Sequence, residues 1–252
     1  MDPGGPLTTT GRELLTFIGE HRFVLPTQAG ALLRTSDEES RSRLRELTDA
    51  GYLIEEPVLV RQPVVYRSTR LGLDVIGSEL RPLPISLTNY WHDVGAAWLW
   101  LAARGGAFGP VREVRAERVM RSRDARGRDD PFAVRLGGIG RDGRERLHYP
   151  DLLIVGRRGR RLAIELEISS KEPMKRERIL AAYAADPRIA KVLYVAYKPA
   201  VARALTASVL RLELGSLVAI QRVRAPDGQA RAVQRKRSIA RSDQRQVAEL
   251  AR

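Results

Sequence analysis

Asp151, Glu165 and Glu167 are the residues whose type and spacing could do chemistry. They lie in the stretch from His148 to Lys171. It reads His-Tyr-Pro-Asp-Leu-Leu-Ile-Val, then Gly-Arg-Arg-Gly-Arg-Arg, then Leu-Ala-Ile-Glu-Leu-Glu-Ile, and closes on Ser-Ser-Lys. Side chains alternate along a strand, so Leu162, Ile164, Leu166 and Ile168 share one face, and Ala163, Glu165 and Glu167 share the other. Clustered carboxylates in a basic protein suit a hard divalent cation. Mg²⁺ or Mn²⁺ takes oxygen ligands, keeps several waters and is satisfied by one or two carboxylates plus a substrate phosphate. Such an ion polarises a phosphodiester and lowers the pKa of an attacking water. The plainer alternative is that Glu165 and Glu167 line the solvated face of a half-covered sheet.

Two strand-length apolar runs joined by a Gly/Arg connection form a β-hairpin pattern, with Gly156 and Gly159 free to take positive φ. Asp151 then opens the strand beside Glu165 and Glu167. Ser169 or Ser170 can cap a helix over 171–185 with Pro173 in its first turn. Its inner side is Ile179, Ala182 and Tyr183, and its basic side is Lys175, Arg176 and Arg178, near the carboxylates. A buried strand follows at 192–196, a helix at 199–211 and a strand at 217–220. The layout is an α/β domain with a mixed sheet, α+β over the whole chain.

The run Pro150-Asp151, about a dozen residues and then Glu165-Leu166-Glu167 resembles the PD-(D/E)xK nuclease superfamily, the restriction-endonuclease-like fold. The resemblance implies that Asp151 and Glu165 bind metal. It places Glu167 where that family usually has a lysine that positions or activates water, and Lys171 could supply a displaced amine. The catalytic candidates are therefore Asp151, Glu165, Glu167 and Lys171. A helix before the core sheet often supplies a further acid in that family. Asp93 is the matching residue and so the third metal candidate, with His92 the second choice. A local hydrogen bond or solvent exposure is the simpler role for either. With the basic helix and Tyr183, the motif is also similar to replication-relaxation proteins of plasmids and other mobile elements, which join an N-terminal winged helix to a nuclease-like half.

Composition fits a polyanion partner. The 252 residues carry a formal net charge of +14, with five lysines and 39 arginines among 44 basic residues. A charge of that size attracts nucleic acid. There is no cysteine, hence no disulfide framework or Cys-based zinc site. No apolar run is long enough to span a membrane and Met1–Thr10 has no signal-peptide pattern, so a cytoplasmic location without membrane attachment is expected.

The N-terminal third reads as three helices and two strands after a disordered 1–9. Leu14, Leu15, Phe17 and Ile18 recur at helical spacing, with Thr9 or Thr10 as cap. A second helix fits 27–33 with Thr27 as cap. A third runs from Ser36, in a capping box with Glu39, to Ala50, with Gly51 for the C-terminal turn. Short strands at 52–54 and 64–67 follow. This is the order of a winged helix-turn-helix over 10–80, in which Arg41, Arg43 and Arg45 of the third helix and Arg61 of the wing could contact double-stranded DNA. Such modules also serve protein contacts, and the acidic first turn of the third helix opposes DNA.

Residues 81–85 read as a linker and 86–221 as the nuclease-like domain. Its first helix, 86–104, is apolar nearly all round. Residues 110–120 fit either strand or helix. Residues 121–146 read as an arginine-rich loop with a hairpin between Phe132 and Leu147. The tail, 222–252, has nine basic and three acidic residues. It should be flexible, with Arg235, Lys236 and Arg237 adding salt-dependent affinity for DNA.

The function expected is that of a DNA-binding protein of a mobile element, carrying a Mg²⁺-dependent endonuclease or nickase domain. Two alternatives use a degenerate nuclease fold without chemistry: a DNA-binding or relaxosome scaffold, and a transcriptional regulator. Partners would be duplex DNA and either a second copy in a homodimer or a replication or relaxosome protein.

Overall fold

The computed structural model describes residues 7–127, 130–156 and 159–223. Its first helix, α1 (Thr9–Glu20), buries Leu14, Leu15, Phe17 and Ile18 at the expected spacing. Thr8 caps it, one residue earlier than the sequence indicated, by accepting from the Gly11 amide at 3.0 Å. Helix α2 (Pro26–Leu33) begins on proline, whose missing N–H costs nothing there. Thr27 is not its cap. Gln28 takes that work: its Oε1 accepts from the Leu25 amide at 2.9 Å, and its Nε2 donates to the Val94 carbonyl at 2.8 Å. Helix α3 (Asp37–Asp49) has the foreseen Ser36 cap, which accepts from the Glu39 amide at 3.2 Å. Gly51 closes it at φ +76°, where a side chain would be strained. Strands β1 (Leu53–Glu56) and β2 (Val65–Ser68) pair antiparallel, and the short helix α4 (Arg70–Val75) follows.

A stretch without regular structure leads to a 3₁₀ turn (Leu87–Asn89) and helix α5 (Tyr90–Arg104). The ambiguous segment is both things in succession: strand β3 (Val111–Ala116), then helix α6 (Glu117–Asp124). Strands β4 (Val134–Ile139) and β5 (Glu145–His148) form a separate two-stranded sheet. The central hairpin is β6 (Leu152–Gly156) and β7 (Arg161–Glu167). Gly159 takes positive φ in its turn, whereas Gly156 closes β6. Helix α7 (Pro173–Ala185) starts at Pro173, later than the serines would place it, with Glu172 as its N-cap residue. Strand β8 (Ile189–Ala196), helix α8 (Pro199–Arg211) and strand β9 (Val218–Arg222) complete the described chain.

The five-stranded sheet has the order β3-β6-β7-β8-β9, antiparallel as far as β7 and parallel from there. Each parallel step is spanned by a helix, as a crossover requires. One face, with Leu152, Ile154, Ile164 and Leu166, packs on Val94-side residues of α5 such as Ala97 and Trp100. The other, with Leu153, Ala163, Val192 and Tyr194, packs on Ile179, Leu180 and Tyr183 of α7 and Val201 and Leu205 of α8. Helix α5 lies so close to β7 that a Cβ at Gly95 would stand 2.5 Å from Leu166 Cδ2.

The apolar core under α5 runs on into the N-terminal elements, where it includes Leu14, Phe17 and Ile18. Phe17 meets Trp100 with ring centroids 5.1 Å apart, and Phe23 stacks on Tyr90 at 5.0 Å. Arg118 of α6 donates to the carbonyls of Gly19, His21 and Arg81, fastening α6 to the end of α1 and the connecting stretch. No helix among the described residues is long and apolar enough to cross a membrane.

Candidate functional site

Asp151 precedes β6, one residue before the Leu152–Ile164 pair of the hairpin. Its Oδ2 accepts from the Leu166 amide at 2.7 Å, which fixes the carboxylate against β7. Its Oδ1 lies 3.1 Å from His92 Nε2, on the first turn of α5. The Glu165 and Glu167 side chains do not face solvent: the two residues are 1% and 4% exposed, under α7. The half-covered sheet is therefore ruled out, because α7 covers the face that carries Glu165 while α5 covers the apolar face of Ile164 and Leu166.

Burial disfavours charge, so each of these carboxylates has found a cationic or hydrogen-bonding neighbour. Glu165 Oε1 lies 2.7 Å from His148 Nε2 and accepts from the Tyr183 hydroxyl. The His148 and Tyr183 rings meet edge-on at 5.7 Å. Glu167 pairs with Lys171, whose Nζ is also 4.0 Å from Glu165 Oε2. Lys171 thus sits beside both glutamates of β7.

The titration of these groups follows from their surroundings. Burial pushes His92 down, but the Asp151 charge and hydrogen bond, with help from Asp93, outweigh it and lift the imidazole to about 10. Burial pushes Asp151 up, and the His92 charge and the Leu166 amide more than reverse this, leaving it below its ordinary value. His148 is raised: burial opposes its charge and Glu165 overrides burial. Lys171 is also raised, because Glu165 and Glu167 outweigh its burial. Glu167 goes the other way for a carboxylate: burial lifts it and Lys171 only partly offsets this. Tyr183 stands well above its ordinary range through burial and the Glu165 charge.

Other sequence candidates fall in different places. Asp93 does not meet Asp151: it lies 3.4 Å from Arg22 Nε and 3.7 Å from His92 Nδ1, and the histidine makes the contact instead. Arg176, assigned to the basic side of α7, turns inward, where it is 7% exposed and donates to Ser208 Oγ and the Lys171 carbonyl. Lys175 and Arg178 remain exposed on α7. Arg41, Arg43 and Arg45 lie on α3, where Arg43 is within 4 Å of Glu39 and Glu46. Arg61 is exposed in the β1–β2 loop at φ +62°. Arg235, Lys236 and Arg237 lie outside the described residues.

Reasoning from sequence gave His148 no role, placed Tyr183 only on the inner side of its helix and ranked His92 second. His148 stood in the quoted stretch, but its approach to Glu165 depends on the pairing of β5 with β4, for which the sequence offered only a hairpin guess. Tyr183 comes under Glu165 through the α7 crossover, which no spacing rule reveals.

A cavity of about 610 Å³ opens between α1, the stretch after α4, α5 and α6, and Asp151 and His92 stand on its wall. Arg22, Arg81, Arg118 and Arg121 line it too. Asp151 is thus reachable from a channel rich in guanidinium groups. Among the described residues no three His, Asp or Glu side chains gather their donor atoms around one point. Asp151 and Glu165 both act through their charge on His148 and Lys171. No protein-family model, curated protein or solved structure was found to match this chain.

Proposed function

We propose that the chain is a DNA-binding protein of a mobile element, of the plasmid replication or relaxation type, whose C-terminal half cleaves a DNA phosphodiester with the help of Mg²⁺ or Mn²⁺. The observation that carries this reading is the meeting of Asp151, Glu165, Glu167 and Lys171 at one end of β6 and β7. Helix α5 and the central-sheet elements β3, β6, β7, α7 and β8, with α6 and the β4–β5 hairpin inserted between β3 and β6, support a PD-(D/E)xK core. Three helices followed by a two-stranded sheet support a winged helix at the N-terminus.

In this reading Asp151 and Glu165 would hold the ion, which would polarise the phosphate and lower the pKa of a water. The Leu166 amide and His92 orient Asp151. Tyr183 and His148 orient Glu165. Lys171 keeps its proton, so it stabilises negative charge on phosphate oxygens rather than acting as a base. Glu167, paired with Lys171 beside Glu165, would help orient or activate the attacking water. The test is nicking of supercoiled plasmid in Mg²⁺ or Mn²⁺. Wild type should nick and the D151N/E165Q double variant should not; undiminished nicking by that variant would overturn the assignment.

A second reading has one observation in its favour: Asp151, Glu165 and Glu167 each have a cationic neighbour on this chain. Such compensation holds a buried carboxylate cluster without a metal. The fold would then act as a DNA-binding or relaxosome scaffold or a transcriptional regulator, and would bind duplex without cutting it.

A further inference from the structure

Strands β4 and β5 stand apart from the central sheet. Their root is covered: Val134 is buried and pairs with the part-buried His148, and β4 lies against α7 as far as the part-buried Leu136. Beyond it, residues 141–147 are all exposed, as are Arg135, Gly137, Gly138 and Ile139. Ile139 is 61% and Leu147 43% exposed, with no layer over them. A two-stranded ribbon with no further layer is marginal in water, so the part beyond Leu136 is a surface open to a partner.

Its chemistry indicates what that surface is. From Val134 to Leu147 there are four arginines against Asp142 and Glu145. Arg135 is 3.5 Å from Glu145, whereas Arg141, Arg144 and Arg146 have no acidic partner among the described residues. The register slips between Arg135 and Ile139, where Gly137 and Gly138 take φ of +74° and +73°. A bulge of that kind adds right-handed twist to a ribbon. Six residues of β4 extend about 20 Å at about 3.3 Å each. The major groove is about 12 Å wide and 8.5 Å deep and admits a two-stranded ribbon. Helix α3, by contrast, carries Asp37, Glu38, Glu39, Glu46 and Asp49 against three arginines, so it is the poorer match to DNA.

We propose that the β4–β5 hairpin is an arm that enters the major groove of duplex DNA. Arg141, Arg144 and Arg146 meet phosphates or guanine edges, and Ile139 and Leu147 lie against thymine methyl groups. The arm is rooted at the candidate site, because His148 at its base contacts Glu165. Seating it in the groove therefore sets which neighbouring backbone segment faces the carboxylates. The proposal rests on the DNA-binding reading above, but not on cleavage.

The test is fluorescence anisotropy of a labelled mixed-sequence 30-base-pair duplex in EDTA, with wild type and R141Q/R144Q/R146Q, over a range of salt. Each lost phosphate contact lowers the slope of log affinity against log salt by about 0.9. The triple variant should bind about tenfold or more weaker at 0.1 M salt, with a slope smaller by about 2 to 3. Its melting temperature should match wild type, since the three side chains are exposed. Methyl green, a major-groove ligand, should displace wild type, and netropsin, a minor-groove ligand, should not. A triple variant that binds like wild type, or displacement by netropsin alone, overturns the arm and leaves DNA binding standing. Wild type that binds no duplex overturns the DNA reading and the arm with it.

Discussion

Replacing His92 with glutamine should remove a pH-dependent part of the stability. The imidazole is held by Asp151 at 3.1 Å and lifted from 6.5 to about 10. A shift of that size taken at face value would be about 5 kcal/mol. The side chain is 30% exposed, so solvent screens the interaction and about 2 kcal/mol is the better expectation. The sign follows from the raised folded value. Below the unfolded pKa of about 6.5 the ring is charged in both states and the contribution is whole. As pH rises toward 10 the unfolded chain releases the proton first, and the contribution is lost. Urea unfolding in EDTA at pH 6, 8 and 9.5 reads this directly. Wild type should exceed H92Q by about 2 kcal/mol at pH 6, most of the gap should be gone by about pH 8, and none should remain at pH 9.5. His148 titrates in both proteins, so the difference isolates His92. A gap that stays constant from pH 6 to 9.5 would refute the charged His92–Asp151 pair.

Three further outcomes are expected. Gln28→Leu leaves the Leu25 amide and Val94 carbonyl without the partners they have now, at about 1–3 kcal/mol each, so urea unfolding should show a loss of about 2–6 kcal/mol. Gly95→Leu cannot fit between α5 and β7 without moving Leu166, and should cost about 1–3 kcal/mol in the same assay, whereas Gly77→Ala, with open space around it, should show only its backbone strain. Lys171→Met should reduce plasmid nicking about 100-fold or more while leaving duplex affinity within about twofold, because one preorganised charge at the reacting phosphate is worth about 3 kcal/mol; equal nicking rates would remove Lys171 from the proposed chemistry.

The elements were largely legible and their contacts were not. Periodicity located α1 and α3 because each has one buried face that the residue pattern marks, and alternation located β7 although both of its faces are buried. The start of α7 was misplaced because Ser169 and Ser170 look like caps, while Pro173 is the residue that fits a first helical position. The segment 110–120 defied assignment because β3 and α6 abut with no glycine or proline between them. Alternation put Glu165 and Glu167 on one face correctly, but their burial depended on what the α7 crossover covers. The pairing of His92 with Asp151 joins residues 59 positions apart, on α5 and ahead of β6, and no local pattern carries such a contact. Asp93 and Arg176 went astray for a related reason: a polar residue near a site in sequence is as readily spent on a neighbour such as Arg22 or Ser208.

Titration of Mn²⁺ into the DNA-free protein by calorimetry, with wild type and Glu165→Gln, tests the metal site most directly, because it needs no substrate and reads no turnover. The proposed function predicts one saturable site in wild type that disappears in the variant. Equal heats in the two proteins, or no saturable binding in wild type even with a short duplex present, would contradict it.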